Sequence, residues 1–156
     1  RIGHLADSRL VARKLISHKR ILVASPNYLQ QHGTPLEPDQ LLEHNCIGNP
    51  SLHSYPIWRL SDGQQLAMVR TNGTLVTNDS IAMLEAAKAG IGILGAGEWL
   101  VAQDIHSGSL VQLMPQWHFD SDGGIYLVRA SRHYISARTG AFGEWISQLF
   151  QAAPWK

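Results

Sequence analysis

Residues 78–94 hold a helix pattern that stops at a glycine and continues directly into an apolar strand, and this order narrows the fold class. In "NDSIAMLEAAKAG" (78–90), apolar side chains recur at helical spacing and the polar residues 78–80 offer an N-cap. Gly90 suits the left-handed position after the last turn. "IGIL" (91–94) then has the character of a short buried strand. Helix, glycine and strand in this order predict an α/β arrangement.

Gly90, Gly92 and Gly95 have the G-x-G-x-x-G spacing of dinucleotide-binding turns. Such a turn holds a pyrophosphate only where a strand precedes the glycines and a helix follows them. Here the helix comes first, so no helix start faces a phosphate. The spacing therefore predicts structural glycines and not a nicotinamide-dependent enzyme.

The same alternation runs through the rest of the chain and predicts an α/β domain with a mixed sheet. Strands or extended segments are predicted at 20–25, 45–49, 57–60, 64–70, 71–78, 91–94, 109–117 and 125–130. Helices are predicted at 25–33, 78–90, 97–108 and 136–150, and a turn followed by a short helix is predicted at 34–44.

Composition limits the class of protein. The chain has 156 residues, enough for one domain or two small lobes, and 44% of them are hydrophobic, as in globular proteins. The net charge is only +1, and the densest basic run, "SHKR" (17–20), is expected to be the solvated start of a strand. Electrostatics therefore argue against nucleic-acid binding by this segment itself. No apolar run reaches membrane-spanning length, and no signal peptide is visible.

Patterns for metal binding and catalysis are missing from the sequence. The eight histidines show neither H-x-H nor H-x-x-x-H spacing, and the single cysteine, Cys46, has no second thiol. Cys46 is therefore expected to be a buried thiol on a strand, and the lack of a disulfide partner favours a reducing compartment. No G-x-S-x-G nucleophile elbow occurs. We expect no metal, no cofactor and no enzymatic activity.

The order of the segments resembles the effector-sensing domain of LysR-type transcriptional regulators, from one end of the chain to the other. The residues that carry the resemblance are "RIGHLADSRLVARKL" (1–15), "RILVASPNYLQQHGTPLEPDQLLEHNCI" (20–47), "WRLSDG" (58–63), "NGTLVTNDSIAMLEAAKAGIGIL" (72–94), "EWLVAQDIHSGSLVQLMPQW" (98–117) and "IYLVRASRHYISARTGAFGEWI" (125–146). One local departure is "GAGE" (95–98), where family members often have a proline, and it puts the rigidity of that predicted loop in question.

The resemblance implies a type 2 periplasmic-binding-protein-like fold, in which crossing strands join two α/β lobes and a ligand binds in the cleft between them. Residues 1–22 would end lobe I and form the first crossover, and 23–124 would form a complete lobe II. Residues 125–156 would form the return crossover and the last helix of a partial lobe I. The family's amino-terminal helix-turn-helix, which binds DNA, is missing from this sequence. The resemblance also implies a small-molecule effector, a homodimer or homotetramer paired partly through 79–89, and a place in the bacterial cytoplasm, with no membrane partner.

Helix starts and strand ends at three loops are where we expect the effector. The expected contacts are Gly3, His4, Asn49, Pro50, Ser51, Thr77, Asn78 and Asp79. Two alternatives stay open: Asn49 and Ser51 make only turn hydrogen bonds, or Asn78 is only an N-cap. A carboxylate at Asp79 would already satisfy the positive helix end, so a ligand with a hydroxyl or amine donor would fit better than a simple dianion.

One further function and one structural consequence follow. A periplasmic solute-binding protein of a transporter has the same fold, so it is the alternative function. The apolar stripe of the last helix needs a core that a partial lobe I does not supply. We therefore expect Phe142, Trp145 and Phe150 to be under-buried or covered by a neighbouring chain.

Overall fold

The computed structural model describes residues 11–52, 55–120, 123–129 and 136–151. The chain divides into two compact units, one of Lys19–Ser121 and the other of Arg1–His18 with Asp122–Lys156. The strands are β1 (Val11–His18), β2 (Arg20–Ala24), β3 (Cys46–Ile47), β4 (Ile57–Ser61), β5 (Leu66–Arg70), β6 (Ile93–Gly97), β7 (Val111–Leu113), β8 (His118–Phe119) and β9 (Gly123–Arg129). The helices are α1 (Pro26–His32), α2 (Ser80–Lys88), α3 (Glu98–Ser107) and α4 (Ala137–Gln151), with a 3-10 helix at Pro38–Glu43. None of the helices in these ranges has the length and apolar character needed to cross a membrane.

The Lys19–Ser121 unit is built on a four-stranded sheet in the order β3, β6, β2, β7. β2 pairs antiparallel with β6 and β7, whereas β3 runs parallel to β6. A three-stranded antiparallel sheet in the order β5, β4, β8 accompanies it. The predicted α/β class with a mixed sheet is confirmed.

Capping groups set the helix ends of this unit. The Ser25 hydroxyl accepts the backbone N–H of Tyr28 at 3.2 Å in the first turn of α1, and the Asp79 carboxylate caps α2. Gly90 and Gly108 have φ angles of 82° and 78° after α2 and α3, in the left-handed region that glycine occupies without strain. The helices predicted at these positions are confirmed.

Alternate residues of β2 face two different cores. Leu22 and Ala24 belong to a cluster that includes Trp58 and other residues of the three-stranded sheet. Ile21 and Val23 belong to a second cluster, with buried residues of α2 and α3. The four-stranded sheet is therefore covered on both faces, which fixes the positions of its strand ends.

The second unit contains the antiparallel ribbon of β1 and β9, with α4 against it. Gly143 of α4 is buried, and a Cβ on it would lie 3.3 Å from a methyl carbon of Leu127 in β9. Phe142 is 53% exposed and Trp145 is 57% exposed, as predicted, whereas Phe150 is half-buried.

Two strand predictions differ from the structure. Residues 71–78 were expected to form a strand, but they make only one isolated parallel bridge, between Val76 and Gly48. The strand expected at 91–94 begins at Ile93 and continues to Gly97. "GAGE" is therefore not a loop, because its first three residues pair with β2. β1 was not predicted at all.

Candidate functional site

Two of the predicted ligand loops begin side by side at one end of the sheet in the Lys19–Ser121 unit. Gly48, which follows β3, donates its backbone N–H to the carbonyl oxygen of Leu75 at 2.9 Å. Thr77 donates its backbone N–H to the carbonyl oxygen of Gly48 at 3.0 Å. Asn49 and Thr77 each directly follow a residue of this bridge, so both loops start from the same end of the sheet. The structure thus brings together two segments that lie far apart in the sequence.

The first loop is a tight turn that starts at Asn49. The Oδ1 atom of Asn49 accepts the backbone N–H of Ser51 at 3.0 Å, and its carbonyl oxygen accepts that of Leu52 at 3.2 Å. The turn hydrogen bonds considered for Asn49 are therefore present. They leave the side-chain NH₂ group of Asn49 with no partner among the described residues. Pro50 and Ser51 are exposed.

The second loop starts α2, and its N-cap is Asp79 rather than Asn78. Asp79 Oδ1 accepts the backbone N–H groups of Ile81 at 2.9 Å and Ala82 at 3.1 Å. The backbone N–H of Asp79 donates to Thr77 Oγ1 at 3.2 Å. Asn78 is exposed, and within the described ranges its side chain makes no hydrogen bond. The loop thus offers a free amide and a carboxylate whose Oδ2 atom is not used by the cap.

Asn45, the residue before β3, holds the second loop in place. Its side-chain NH₂ group donates to Thr74 Oγ1 at 3.0 Å and to the carbonyl oxygen of Ile91 at 2.6 Å, and its Oδ1 atom accepts the backbone N–H of Thr74. Its own backbone N–H donates to the Tyr28 hydroxyl at 3.0 Å, which lies 3.1 Å from His44 Nδ1. Burial raises the pKa of Tyr28 and lowers the pKa of His44. A neutral His44 can accept the Tyr28 O–H, so this arrangement favours the uncharged ring.

Arg20 begins β2, as the sequence analysis expected of this basic run, but it is partly buried rather than solvated. Its Cζ atom lies 4.2 Å from the ring centroid of Phe119, and its Nη2 atom donates to the carbonyl oxygen of Gly95 at 3.1 Å. Burial lowers the pKa of Arg20 to about 10, so it remains charged at neutral pH. No carboxylate among the described residues lies within 4.0 Å of its guanidinium. The alternation of side chains along β2 could have revealed this position. Arg20 is two residues from the buried Leu22, so the two side chains lie on the same face of the strand.

The remaining candidates are the two residues expected from lobe I and the single cysteine. Gly3 and His4 lie outside the described residues. Cys46 is 2% exposed on β3, as predicted, and burial raises the pKa of its thiol to about 12. In the part of the chain that the structure describes, no three His, Cys, Asp or Glu side chains are grouped so that they could hold a metal ion.

The three spaced glycines serve packing and turning. Gly90 has its positive φ after α2. A Cβ on Gly92 would overlap the backbone of Asn45, and a Cβ on Gly95 would overlap the ring of Phe119. The helix does precede the strand here, so the expectation of structural glycines is confirmed.

The chain matches the model of the family described as the LysR substrate binding domain, over residues 1–151. It therefore belongs to this family, and it is the effector-binding domain of a LysR-type transcriptional regulator. The match agrees with the mixed sheet and with the resemblance found in the sequence.

Its relatives are regulators. PtxR, an HTH-type transcriptional regulator of Pseudomonas aeruginosa, is 33% identical over 156 residues, which are 100% of this chain and 50% of PtxR. TtdR, an HTH-type transcriptional activator of Escherichia coli K12, is 35% identical over 118 residues, which are 75% of this chain and 38% of TtdR. The chain thus spans half or less of either relative. These relatives give no support to the transporter alternative.

Solved structures show the same fold. The regulatory domain of CrgA from Neisseria meningitidis, a LysR-type transcriptional regulator, has a TM-score of 0.82 at 26% identity, covering 95% of this chain and 73% of that one. Full-length AphB, the Vibrio cholerae virulence activator, has a TM-score of 0.81 at 25% identity, covering 96% of this chain and 50% of that one. The fold is the predicted type 2 periplasmic-binding-protein-like fold.

Proposed function

We propose that this domain binds a small-molecule effector at segments 49–51 and 77–79. The observation that carries the proposal is the bridge from Thr77 to Gly48, which joins a strand end and a helix start at one place. Both segments hold polar groups with no hydrogen-bond partner among the described residues, namely the NH₂ group of Asn49 and the side-chain amide of Asn78. Gly3 and His4 remain proposed contacts by resemblance to the family.

The charge at the start of α2 selects the chemistry of the effector. Asp79 already places a carboxylate on the positive helix end, so an anionic group gains little there. Its Oδ2 atom is an acceptor, and a hydroxyl or amine of the effector is the complementary donor. Asp79→Asn keeps the cap and removes the charge. We expect it to weaken binding of such an effector; an unchanged preference for simple dianions would contradict this assignment.

The effector signal is proposed to reach DNA through another part of the regulator. PtxR and TtdR are described as HTH-type regulators and extend well beyond the matched region. Effector binding would favour one arrangement of the two lobes, proposed as 23–124 against 1–22 with 125–156, and so shift the DNA-binding heads. A protein with this role works in the bacterial cytoplasm, where its DNA target lies, and the proposed role needs no cofactor and no catalysis.

Self-association is proposed to use the outer side of α2, within a homodimer or homotetramer. Ile81 on α2 is 60% exposed, and Val76 and Ile91 on either side of the helix are 45% and 43% exposed. Exposed apolar side chains on and beside a helix favour burial against a partner. Ile81→Glu is expected to lower the oligomeric state in analytical ultracentrifugation, with Ile91→Glu as a second variant.

The gene that encodes this chain tests whether the whole protein is a transcriptional regulator. We expect the reading frame upstream of the Arg1 codon to encode a helix-turn-helix, a linker helix and the first strands of lobe I. If it encodes a signal peptide followed by lobe I alone, the proposal of a regulator is wrong, and the protein is a solute-binding protein of a transporter. This readout does not depend on knowing the effector.

A further inference from the structure

We propose that Arg20 binds a carboxylate of the effector, which makes the effector a small carboxylic acid with a hydroxyl or amine donor at its other end. This inference rests on the proposed function, because it adds a cation to the site at segments 49–51 and 77–79. Neither the family match nor the relatives assign a role to Arg20.

Strand register places Arg20 beside the two loops. β3 and β6 run parallel with Ile47 opposite Leu94, so Gly48 and Gly95 are the next residues in the same register. Gly48 is bridged in turn to Val76. Gly95, Gly48 and Val76 therefore lie in one row across the sheet. Strands are spaced by about 4.8 Å, so this row is roughly 10 Å long.

The guanidinium of Arg20 stands at one end of this row. Its Nη2 atom donates to the carbonyl oxygen of Gly95, and segment 77–79 begins at the other end, directly after Val76. A molecule that reaches from Arg20 to segment 77–79 would pass along the outer side of the Tyr55 ring, which lies against Gly48.

Phe119 fixes the orientation of the guanidinium. Its ring packs over Gly95, where a side chain would overlap it, and it makes an edge contact with buried Trp58 at 5.4 Å between centroids. The Arg20 Cζ atom lies 4.2 Å from the centroid of this ring. A guanidinium held against an immobile ring is preorganised, so less side-chain entropy is lost when it binds a ligand.

Arg20 has binding capacity that the described residues do not use. A guanidinium has five N–H donors, and the hydrogen bond to Gly95 uses one of them. No carboxylate of the described residues lies within 4.0 Å, so the partly desolvated charge is uncompensated there. A carboxylate would supply charge-assisted and bidentate hydrogen bonds. Asp79 would repel the same carboxylate, which orients the acid toward Arg20 and the donor toward Asp79.

A purely structural role is the competing explanation, in which Arg20 only covers Phe119 and the carbonyl of Gly95. Calorimetric titration of the 156-residue chain separates the two. The probes are 4-hydroxybenzoate, 6-hydroxyhexanoate and 6-aminohexanoate, each paired with its primary amide, which has the same shape without the charge. We expect at least one acid to bind about tenfold more tightly than its amide, or better.

Three variants assign that preference to a residue. Arg20→Met is expected to reduce it to within about twofold, because the charged donors are gone. Arg20→Lys keeps a charge over Phe119, so it guards against misfolding, and it should retain only part of the preference, because it lacks the planar fork. Arg70→Met removes an exposed cation of β5 and should leave the preference unchanged.

Several results would overturn the role of Arg20. The first is equal binding of acids and amides. The second is a preference for acids over amides that is undiminished in both Arg20→Met and Arg20→Lys. The third is that none of the acids binds. Amides that bind as tightly as acids at segments 49–51 and 77–79 would remove Arg20 from the site and leave the proposed effector function standing. The upstream reading frame tests that function independently.

Discussion

Thr77 donates its backbone N–H to the carbonyl oxygen of Gly48 at 3.0 Å, and this bond joins a strand end to the approach of a helix. Gly48 has no room for a side chain, because a Cβ on it would lie 2.7 Å from a ring carbon of Tyr55 and 3.2 Å from a methyl carbon of Val76. The close approach lets both loops start from one point. The candidate site is therefore built by backbone pairing, and the Asn78 amide, the Asn49 NH₂ group and Asp79 Oδ2 make no hydrogen bond within the described residues.

Gly95→Ala is expected to destabilise the domain by about 1–3 kcal/mol, because its Cβ would overlap the Phe119 ring in a packed core. Urea unfolding measures the change. The same substitution in a Phe119→Leu background should cost less, because the ring is gone. Equal costs in the two backgrounds would show that the ring does not limit the space at Gly95.

Asp79→Ala is expected to cost about 1 kcal/mol of stability, since it removes the acceptor for two N–H groups at the start of α2. Asp79→Asn should be nearly neutral, because asparagine caps equally well. Thermal unfolding of both variants tests this. A loss in Asp79→Asn as large as that in Asp79→Ala would mean that the charge, and not the cap, carries the effect.

Tyr28→Phe is expected to cost about 1 kcal/mol, because the hydroxyl accepts the N–H of Asn45 and that partly buried donor would lose its partner. Urea unfolding is again the measurement. Tyr55→Phe is the matched control, because Tyr55 is 36% exposed and its hydroxyl can reach water. Similar losses in the two variants would contradict the role of the Tyr28 hydroxyl.

We expect the domain to lose stability as the pH falls, because His44 is protonated more readily in the unfolded chain than in the folded one. Burial, helped by the nearby charge of His32, lowers the pKa of His44 in the folded state below 6.5. The unfolded chain therefore takes up the proton first, so this contribution is complete above about pH 7 and falls as the pH drops through about 6.5. It levels off below the folded pKa.

Urea midpoints of the wild type and His44→Gln between about pH 7.5 and 5 test this linkage. The loss of stability over this interval should be smaller in the variant. Parallel profiles, or a steeper decline in the variant, would show that His44 does not titrate as described.

Two tryptophans should respond differently to truncation. Trp58 is 5% exposed in the core, so Trp58→Ala is expected to cost about 3–5 kcal/mol. Trp145 is 57% exposed on α4, so Trp145→Ala should cost about 1 kcal/mol or less. Denaturant unfolding of the two variants gives the comparison. A large loss at Trp145 in a monomeric chain would contradict the exposed position of this helix face.

Elements with strong local signals were predictable from the sequence. α2 carries its own cap at Asp79 and its own stop at Gly90, so its bounds follow from short-range chemistry. β1 gave no such signal, because "VARKLISH" mixes charged and apolar residues and pairs with the distant β9. β6 continues through glycines that disfavour strands in isolation, because Phe119 and β2 hold them in place.

The candidate site was predictable only in part. Segments 49–51 and 77–79 could be marked as a strand end and a helix start, but their contact depends on a single long-range bridge at Gly48. Arg20 was taken for a solvated residue because it ends the basic run 17–20. Its position depends on Phe119, which lies far along the chain and reaches Arg20 only in the folded sheet.

The most direct test of the proposed site is amide NMR of the 156-residue chain during titration with the same acids and amides. We predict saturable chemical-shift changes at the backbone amides of Ser51, Thr77 and Asp79 for at least one probe. Saturable changes confined to other parts of the Lys19–Ser121 unit, or no saturable change with any probe, would contradict effector binding at these two segments.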